Sequence, residues 1–152
     1  MLIIKNGQQI SKKVATAIIK CNNNLFLLQL RDSLPQISFP GHWSSFGGKI
    51  EENETPNQAI LRELKEEINF IPKDILPFKT FELREEKALV FCYLSKITVP
   101  LNTLYLMEGR DFDLFSSKEI RKGFLLSKKL NKLYPITPLF MKMHNEVIQI
   151  FR

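Results

Sequence analysis

Short apolar runs and one long amphipathic segment dominate the pattern of this chain. Residues 14–20 and 25–30 are apolar stretches of strand length, the first rich in β-branched side chains. Asn22-Asn23-Asn24 lies between them, and Asn tolerates the positive φ of a tight hairpin, so the two runs are predicted to pair antiparallel. Residues 32–45 carry Pro35, Pro40 and Gly41 without periodicity. That predicts a long loop, and long loops inside compact domains are often functional. Phe46-Gly47-Gly48 follows and leads into a helix.

That helix is predicted over 56–68. Thr55 is a good N-cap, Pro56 suits the first helical position, and Gln58 completes a capping box with Thr55. At ~100° per residue, Ile60, Leu61, Leu64 and Ile68 share one stripe, while Glu63, Glu66 and Glu67 cluster about 120° round from it. Downstream, residues 78–84 and 88–98 read as paired strands around Glu85-Glu86-Lys87, and 104–107 as a further strand broken by Glu108-Gly109. Ser117 is expected to cap a short helix through Arg121. Thr137 is expected to cap a C-terminal helix running close to Phe151, with Leu139, Phe140, Met143, Val147, Ile148 and Phe151 at near-helical spacing. This order of elements predicts an α+β chain or a layered αβα sandwich with a mixed β-sheet between helices.

Composition narrows the class. With 152 residues, 44% hydrophobic and 25% charged, the chain fits a single domain over residues 1–152 and excludes intrinsic disorder, collagen-like repeats and a small disulfide scaffold. Cys21 and Cys92 lie far apart with no Cys or His at metal-ligand spacing and are expected to be buried free thiols. Three apolar residues after Met1 are too few for a signal peptide, and no stretch approaches the ~20 apolar residues of a membrane span. A soluble, cytoplasmic protein with no membrane partner is the expectation. The 22 Lys and Arg against 16 Asp and Glu give a net charge of +6, which points to an anionic partner, whether nucleic acid, nucleotide or membrane surface.

Against that positive balance, three glutamates on one helix face are the candidate chemistry. Carboxylates three and four residues apart repel on a bare helix. A divalent cation offsets the repulsion, and hard, oxygen-preferring Mg²⁺ suits carboxylates without supporting His or Cys. Arg62, four residues before Glu66, is placed to steady one of them. Taken alone, the three glutamates are better read as a solvated acidic face paired with Arg62 and Lys65. These glutamates sit in a wider pattern: Gly48, five residues, Glu54, seven residues, then Arg62-Glu63-Leu64-Lys65-Glu66-Glu67-Ile68-Asn69-Phe70. This resembles the Nudix box, the signature of the Nudix hydrolases, with Asn69 in place of the usual Gly and Phe70 in place of an aliphatic residue. Position 69 ends the helix, where a left-handed backbone is usual, and Asn is the next-best residue for it after Gly. The box covers 23 residues, 48–70, and with the preceding strands and loop the likeness extends over 27–70. Beyond residue 75 it is one of element order.

The resemblance implies a Mg²⁺-dependent (or Mn²⁺-dependent) pyrophosphohydrolase that cleaves a nucleoside diphosphate linked to another moiety by water attack on phosphorus. Nucleoside triphosphates, nucleotide sugars and ADP-ribose are all compatible substrates. By position, Glu63, Glu66 and Glu67 would hold metal together with the Gly47 carbonyl, and Glu63 or Glu67 would act as general base. Arg62 would orient a carboxylate, with Glu54 and Gly48 in support. Relatives often recruit a later carboxylate, for which Glu108 is the candidate, followed by Glu85, Glu86 and Asp111. Arg31 and Lys49 are expected either to bind phosphate or to be solvated, and Trp43 either to stack on a base or to pack in the core. His42 and His144 are expected to be solvent-facing or hydrogen-bonded rather than catalytic. Lys118, Arg121, Lys122, Lys128, Lys129 and Lys132 form a basic run, read as a solvated face or as an attractor of polyphosphate or RNA. The rival functions are a nucleotide-sensing Nudix module without turnover and an RNA 5′-end pyrophosphohydrolase. Homodimers are common in the family.

Overall fold

A short hairpin of β1 (Ile3–Lys5) and β2 (Gln8–Ile10) precedes the main sheet in the computed structural model, which describes residues 3–5 and 8–150. β3 (Lys12–Lys20) turns through the asparagine run into β4 (Leu25–Leu30). Asn23 and Asn24 adopt φ of 64° and 58°, as the hairpin requires. The loop that follows ends in β5 (Trp43–Ser44) and β6 (Phe46–Lys49), ahead of α1 (Pro56–Ile68). Next come β7 (Ile75–Leu83), β8 (Ala88–Lys96), β9 (Asp111–Ser116), α2 (Ser117–Ile120), β10 (Phe124–Ser127), β11 (Lys132–Pro135) and α3 (Pro138–Ile150).

The main sheet runs β5-β4-β3-β8-β7, with β6 also on β3 and β9 on β4. β3 and β8 are parallel and the other pairs antiparallel, so the sheet is mixed. Alternation along β4 shows how it is covered. Phe26, Leu28 and Leu30 pack with Phe140, Met143 and Val147 of α3, whereas Leu27 joins Ile60, Leu64 and Ile68 of α1 on the opposite face. Apolar side chains on both faces need a helix on each side. The result is the αβα sandwich expected from the order of elements.

α1 has the bounds its local signals specify. Thr55 Oγ1 accepts from the Gln58 N–H at 3.1 Å, and Gln58 Oε1 accepts from the Thr55 N–H at 2.9 Å. At its other end Asn69 takes φ 53°, ψ 41°. Its N–H reaches the Lys65 carbonyl and the Phe70 N–H the Leu64 carbonyl, which satisfies the last turn as a glycine would.

Three expectations are corrected. Residues 104–107 are not a strand: Leu104 is buried, and Tyr105 and Met107 donate their N–H groups to the Ile68 and Glu67 carbonyls at the end of α1. The strand is β9, paired with the whole of β4; its Asp111 and Asp113 obscured it in the apolar pattern. α2 is capped by Ser116, not Ser117, because Ser116 Oγ accepts from the Glu119 N–H at 3.2 Å. Cys21 is only half-buried, whereas the Cys92 thiol is buried and its pKa pushed up to about 12 by that burial. Thr137 Oγ1 accepts from the Phe140 N–H at the start of α3, and Phe151 lies outside the described residues. Among the described residues no helix is long and apolar enough to cross a membrane.

His144 is a hydrogen-bonded core residue. Its Nε2 lies 2.9 Å from Ser117 Oγ, and its ring packs edge-on against Phe26 and stacks on Phe140. Burial, with the Arg121 charge adding to it, lowers its pKa from 6.5 to about 4. Between those values the unfolded chain binds the proton and the folded chain does not, so stability is full above about pH 6.5 and is lost as pH falls towards 4. At ~1.4 kcal/mol per unit, the gap from 6.5 to about 4 corresponds to about 3 kcal/mol. Urea unfolding at pH 7 and pH 4.5 should show a smaller acid loss in His144→Gln than in the natural chain; an identical loss refutes this origin.

Candidate active site

The site forms where the sheet forks. Along one edge of β3, residues 14–17 pair with β6, whereas Ile19 and Lys20 pair with β4. Strands β4 and β6 therefore diverge, and buried Thr16, Gln29 and Ser45 occupy the divergence. Thr16 Oγ1 lies in hydrogen-bond contact with Ser45 Oγ and donates to the Phe46 carbonyl at 2.8 Å, while Gln29 Nε2 donates to the Ser45 carbonyl at 3.0 Å. Polar groups buried this deeply persist because each is paired.

α1 lays its acidic face over this fork. Glu67, 2% exposed, accepts from the Gly47 N–H and from Gln29 Nε2, both at 2.8 Å. Burial pushes its carboxyl up to about 8 against the pull of these two donors, and the nearby Glu63 and Glu108 charges push the same way. Glu63 is also raised by burial, with Arg62 opposing. Arg62 is the hub of the cluster. Its Nε and Nη2 hold both oxygens of Glu54 at 2.7 and 2.9 Å, and its Nη1 donates to Glu63 at 2.9 Å and to Glu66 at 3.3 Å. Nη2 also reaches the Lys49 carbonyl. The Arg62 hydrogen bonds, joined by the Glu51 N–H, hold Glu54 down at about 2. Arg62 thus hydrogen-bonds three carboxylates, with that of Glu51 a further 3.8 Å ion pair, rather than the one foreseen.

A cavity of about 430 Å³ brings together Gly47, Gly48, Arg62, Glu63, Glu66, Glu67, Arg31 and Glu108. Glu108 is delivered by the loop whose Met107 N–H binds the Glu67 carbonyl at 2.8 Å. Glu54 does not line the cavity and is linked to it through Arg62 and the Glu51 N–H. A second cavity of about 680 Å³ shares Arg31, Gly47 and Gly48 with the first and adds Lys12, Lys49 and Arg84 together with apolar Val14, Phe39, Val90 and Leu139. Arg31 Nε donates to the Ser38 carbonyl, which holds the guanidinium between the two spaces. Glu85 and Glu86 line the second cavity, away from the helix carboxylates. Asp111 is buried and accepts from Ser127 Oγ at 2.7 Å, so it is structural.

Trp43 is corrected from a stacking candidate to a core residue. It is fully buried, packs edge-on against Phe115, and donates Nε1–H to the Leu125 carbonyl at 2.9 Å. His42 binds the Pro40 carbonyl. The unforeseen neighbours are Gln29, Asp32, Ile37 and Glu51; the one polar side chain in the apolar run 25–30 was the available signal for Gln29.

Among the described residues no three acidic, His or Cys side chains converge as a ready-made metal site, since Arg62 holds Glu63 and Glu66 while Gly47 and Gln29 hold Glu67. The donor set nonetheless fits a hard divalent cation: it is all oxygen, partly desolvated and self-repelling, with a backbone glycine pair alongside.

An αβα sandwich that presents an arginine-steadied acidic helix to a glycine pair is a Nudix architecture. The family model for the NUDIX domain matches residues 11–135, and the chain belongs to that family. The 8-oxo-dGTP diphosphatase of Proteus vulgaris is 46% identical over 56 residues, spanning 36% of this chain and 46% of that protein. The 8-oxo-dGTP diphosphatase of Escherichia coli (strain K12) is 35% identical over 74 residues, 46% of this chain and 53% of that one. The chain thus spans about half the length of these curated relatives. The NUDIX domain of Shewanella oneidensis NrtR, solved with ADP ribose, superposes with a TM-score of 0.73 at 15% identity over 99% of this chain and 94% of that one, a likeness of fold.

Proposed function

We propose that the chain is a Mg²⁺-dependent pyrophosphohydrolase that cleaves a nucleoside diphosphate linked to another moiety by water attack on phosphorus, with Mn²⁺ as a substitute ion. The observation that carries this reading is the acidic cavity beside a larger and mainly apolar one, the two sharing Arg31, Gly47 and Gly48 in their walls. A nucleotide pyrophosphate needs both, a cation-loaded pocket for its phosphates and an apolar one for its base. Glu63, Glu66 and Glu67 would hold the metal with the Gly47 backbone, and Glu108 faces them. Bound Mg²⁺ supplies charge neutralisation at the phosphate oxygens and lowers the pKa of the attacking water. Glu67 would take the water's proton, with Glu63 the alternative base. Arg62 keeps Glu63 and Glu66 oriented, and Arg31 and Lys49 would meet the remaining phosphate charge. The names of the relatives and of the ADP-ribose complex support a nucleotide pyrophosphate substrate in general.

The second reading, an RNA 5′-end pyrophosphohydrolase, is favoured by one patch. Arg110 and Lys132 lie over the Tyr134 ring, and Lys129 Nζ donates to the Arg110 carbonyl, which gathers positive charge just beyond Glu108.

A panel of nucleoside triphosphates, nucleotide sugars, ADP-ribose and 5′-triphosphorylated RNA, assayed with Mg²⁺ and with both products identified, tests the proposal. Cleavage of a phosphoric anhydride that stops on chelation of the metal is expected. No turnover of any member with Mg²⁺ or Mn²⁺ refutes it, and turnover of RNA alone selects the second reading.

A further inference from the structure

We propose that Gln29 is a positioning residue that holds Glu67 in the geometry needed to bind the cation; the inference rests on the functional reading above. Three observations support it. Gln29 is 4% exposed although its neighbours in β4, Leu28 and Leu30, are apolar core residues. Its Nε2 bridges two fixed acceptors, the Ser45 carbonyl at 3.0 Å and Glu67 Oε2 at 2.8 Å. Gly109, next to Glu108, packs so closely that an added Cβ would lie 3.3 Å from Gln29 Oε1 and 2.8 Å from the Leu30 carbonyl oxygen.

The amide orientation follows from its partners. Both are acceptors, so only the NH₂ end satisfies them, and a reversed amide would set oxygen against oxygen. Gln29 and the Gly47 N–H therefore address the two oxygens of Glu67 from opposite strands of the fork. A carboxylate held at both oxygens cannot rotate away from the cavity it lines. Because Ser45 is itself tied to Thr16, the brace is anchored in β3. Gln29 borders the cavity, and the proposed role is exerted through its bond to Glu67.

The test compares Mn²⁺ affinity, read by electron paramagnetic resonance without substrate, with steady-state turnover. Gln29→Leu, or Gln29→Met if Leu perturbs folding, removes the donor at similar volume. Either variant should weaken Mn²⁺ binding by about 10- to 100-fold and lower kcat by a comparable factor with KM unchanged. In a Glu67→Gln background, which weakens binding by itself, the same change should add nothing. Unchanged Mn²⁺ affinity overturns the proposal, as does an equal further loss in the Glu67→Gln background or failure of both Gln29 variants to fold. If the natural chain binds Mn²⁺ but hydrolyses no nucleotide, the functional reading fails while the affinity comparison still supports the role of Gln29. If the natural chain binds no Mn²⁺, both fail.

Discussion

Glu67→Gln lowers nucleotide hydrolysis by about 10³-fold or more while the chain stays folded. Removing a general base alone costs ~10²- to 10⁴-fold, and here the same substitution also removes a charge from the proposed cation site. The fold is spared because Gln has the shape of Glu and keeps an oxygen for the Gly47 N–H, which lies 2.8 Å from Glu67; its NH₂ faces the Gln29 amide, which loses this acceptor but keeps the Ser45 carbonyl. Burial already weakens the charge at this position, pushing the carboxyl up to about 8, so Gln replaces a group that needs little ionic compensation in the metal-free chain. Turnover and thermal unfolding measured side by side check both halves. Full activity of the variant would remove Glu67 from the site, and collapse of the fold would give it a structural role instead.

The two adjacent glycines separate fold from chemistry in the second large effect. Gly47→Ala is expected to destabilise the chain by several kcal/mol, a large part of the ~5–15 kcal/mol a domain has. Its φ is +148°, and an added Cβ would run into the Ala15 carbonyl oxygen and lie 2.6 Å from Thr16 Cα. Both belong to the backbone of β3, which cannot retreat without breaking its pairing with β6. Gly48→Ala places its Cβ against the end of the Glu63 side chain, 2.6 Å from Cδ. That carboxylate can swing away, so this variant should fold and lose activity by displacing Glu63 from Arg62. Circular dichroism and turnover of the pair decide the matter; a stable Gly47→Ala, or a fully active Gly48→Ala, contradicts the respective account.

These expectations draw on two kinds of information. α1 was legible to the residue, because Thr55, Pro56, Gln58 and Asn69 act on the backbone within a few positions of themselves. Its acidic face was legible for the same reason, since helical periodicity alone places Glu63, Glu66 and Glu67 together. The hairpin through Asn23 and Asn24 was equally local. The strand at Asp111–Ser116 was not, because its register comes from β4, more than eighty residues earlier, and its aspartates break the apolar pattern. Trp43 and His144 could be read either way, since a side chain's exposure depends on which elements fold over it.

By itself the sequence determined an αβα order of elements, a helix with fixed ends, and three carboxylates on one face of a chain of net charge +6. The tertiary structure alone decided what those carboxylates meet. It set Gly47 and Gln29 against Glu67 from two diverging strands, brought Glu108 in on a loop bound to the end of α1, and sent Trp43 into the core. The physical reason is range: capping and periodicity act within a turn or two, whereas the Gln29 bond to Glu67 spans 38 positions and exists only once the sheet has forked.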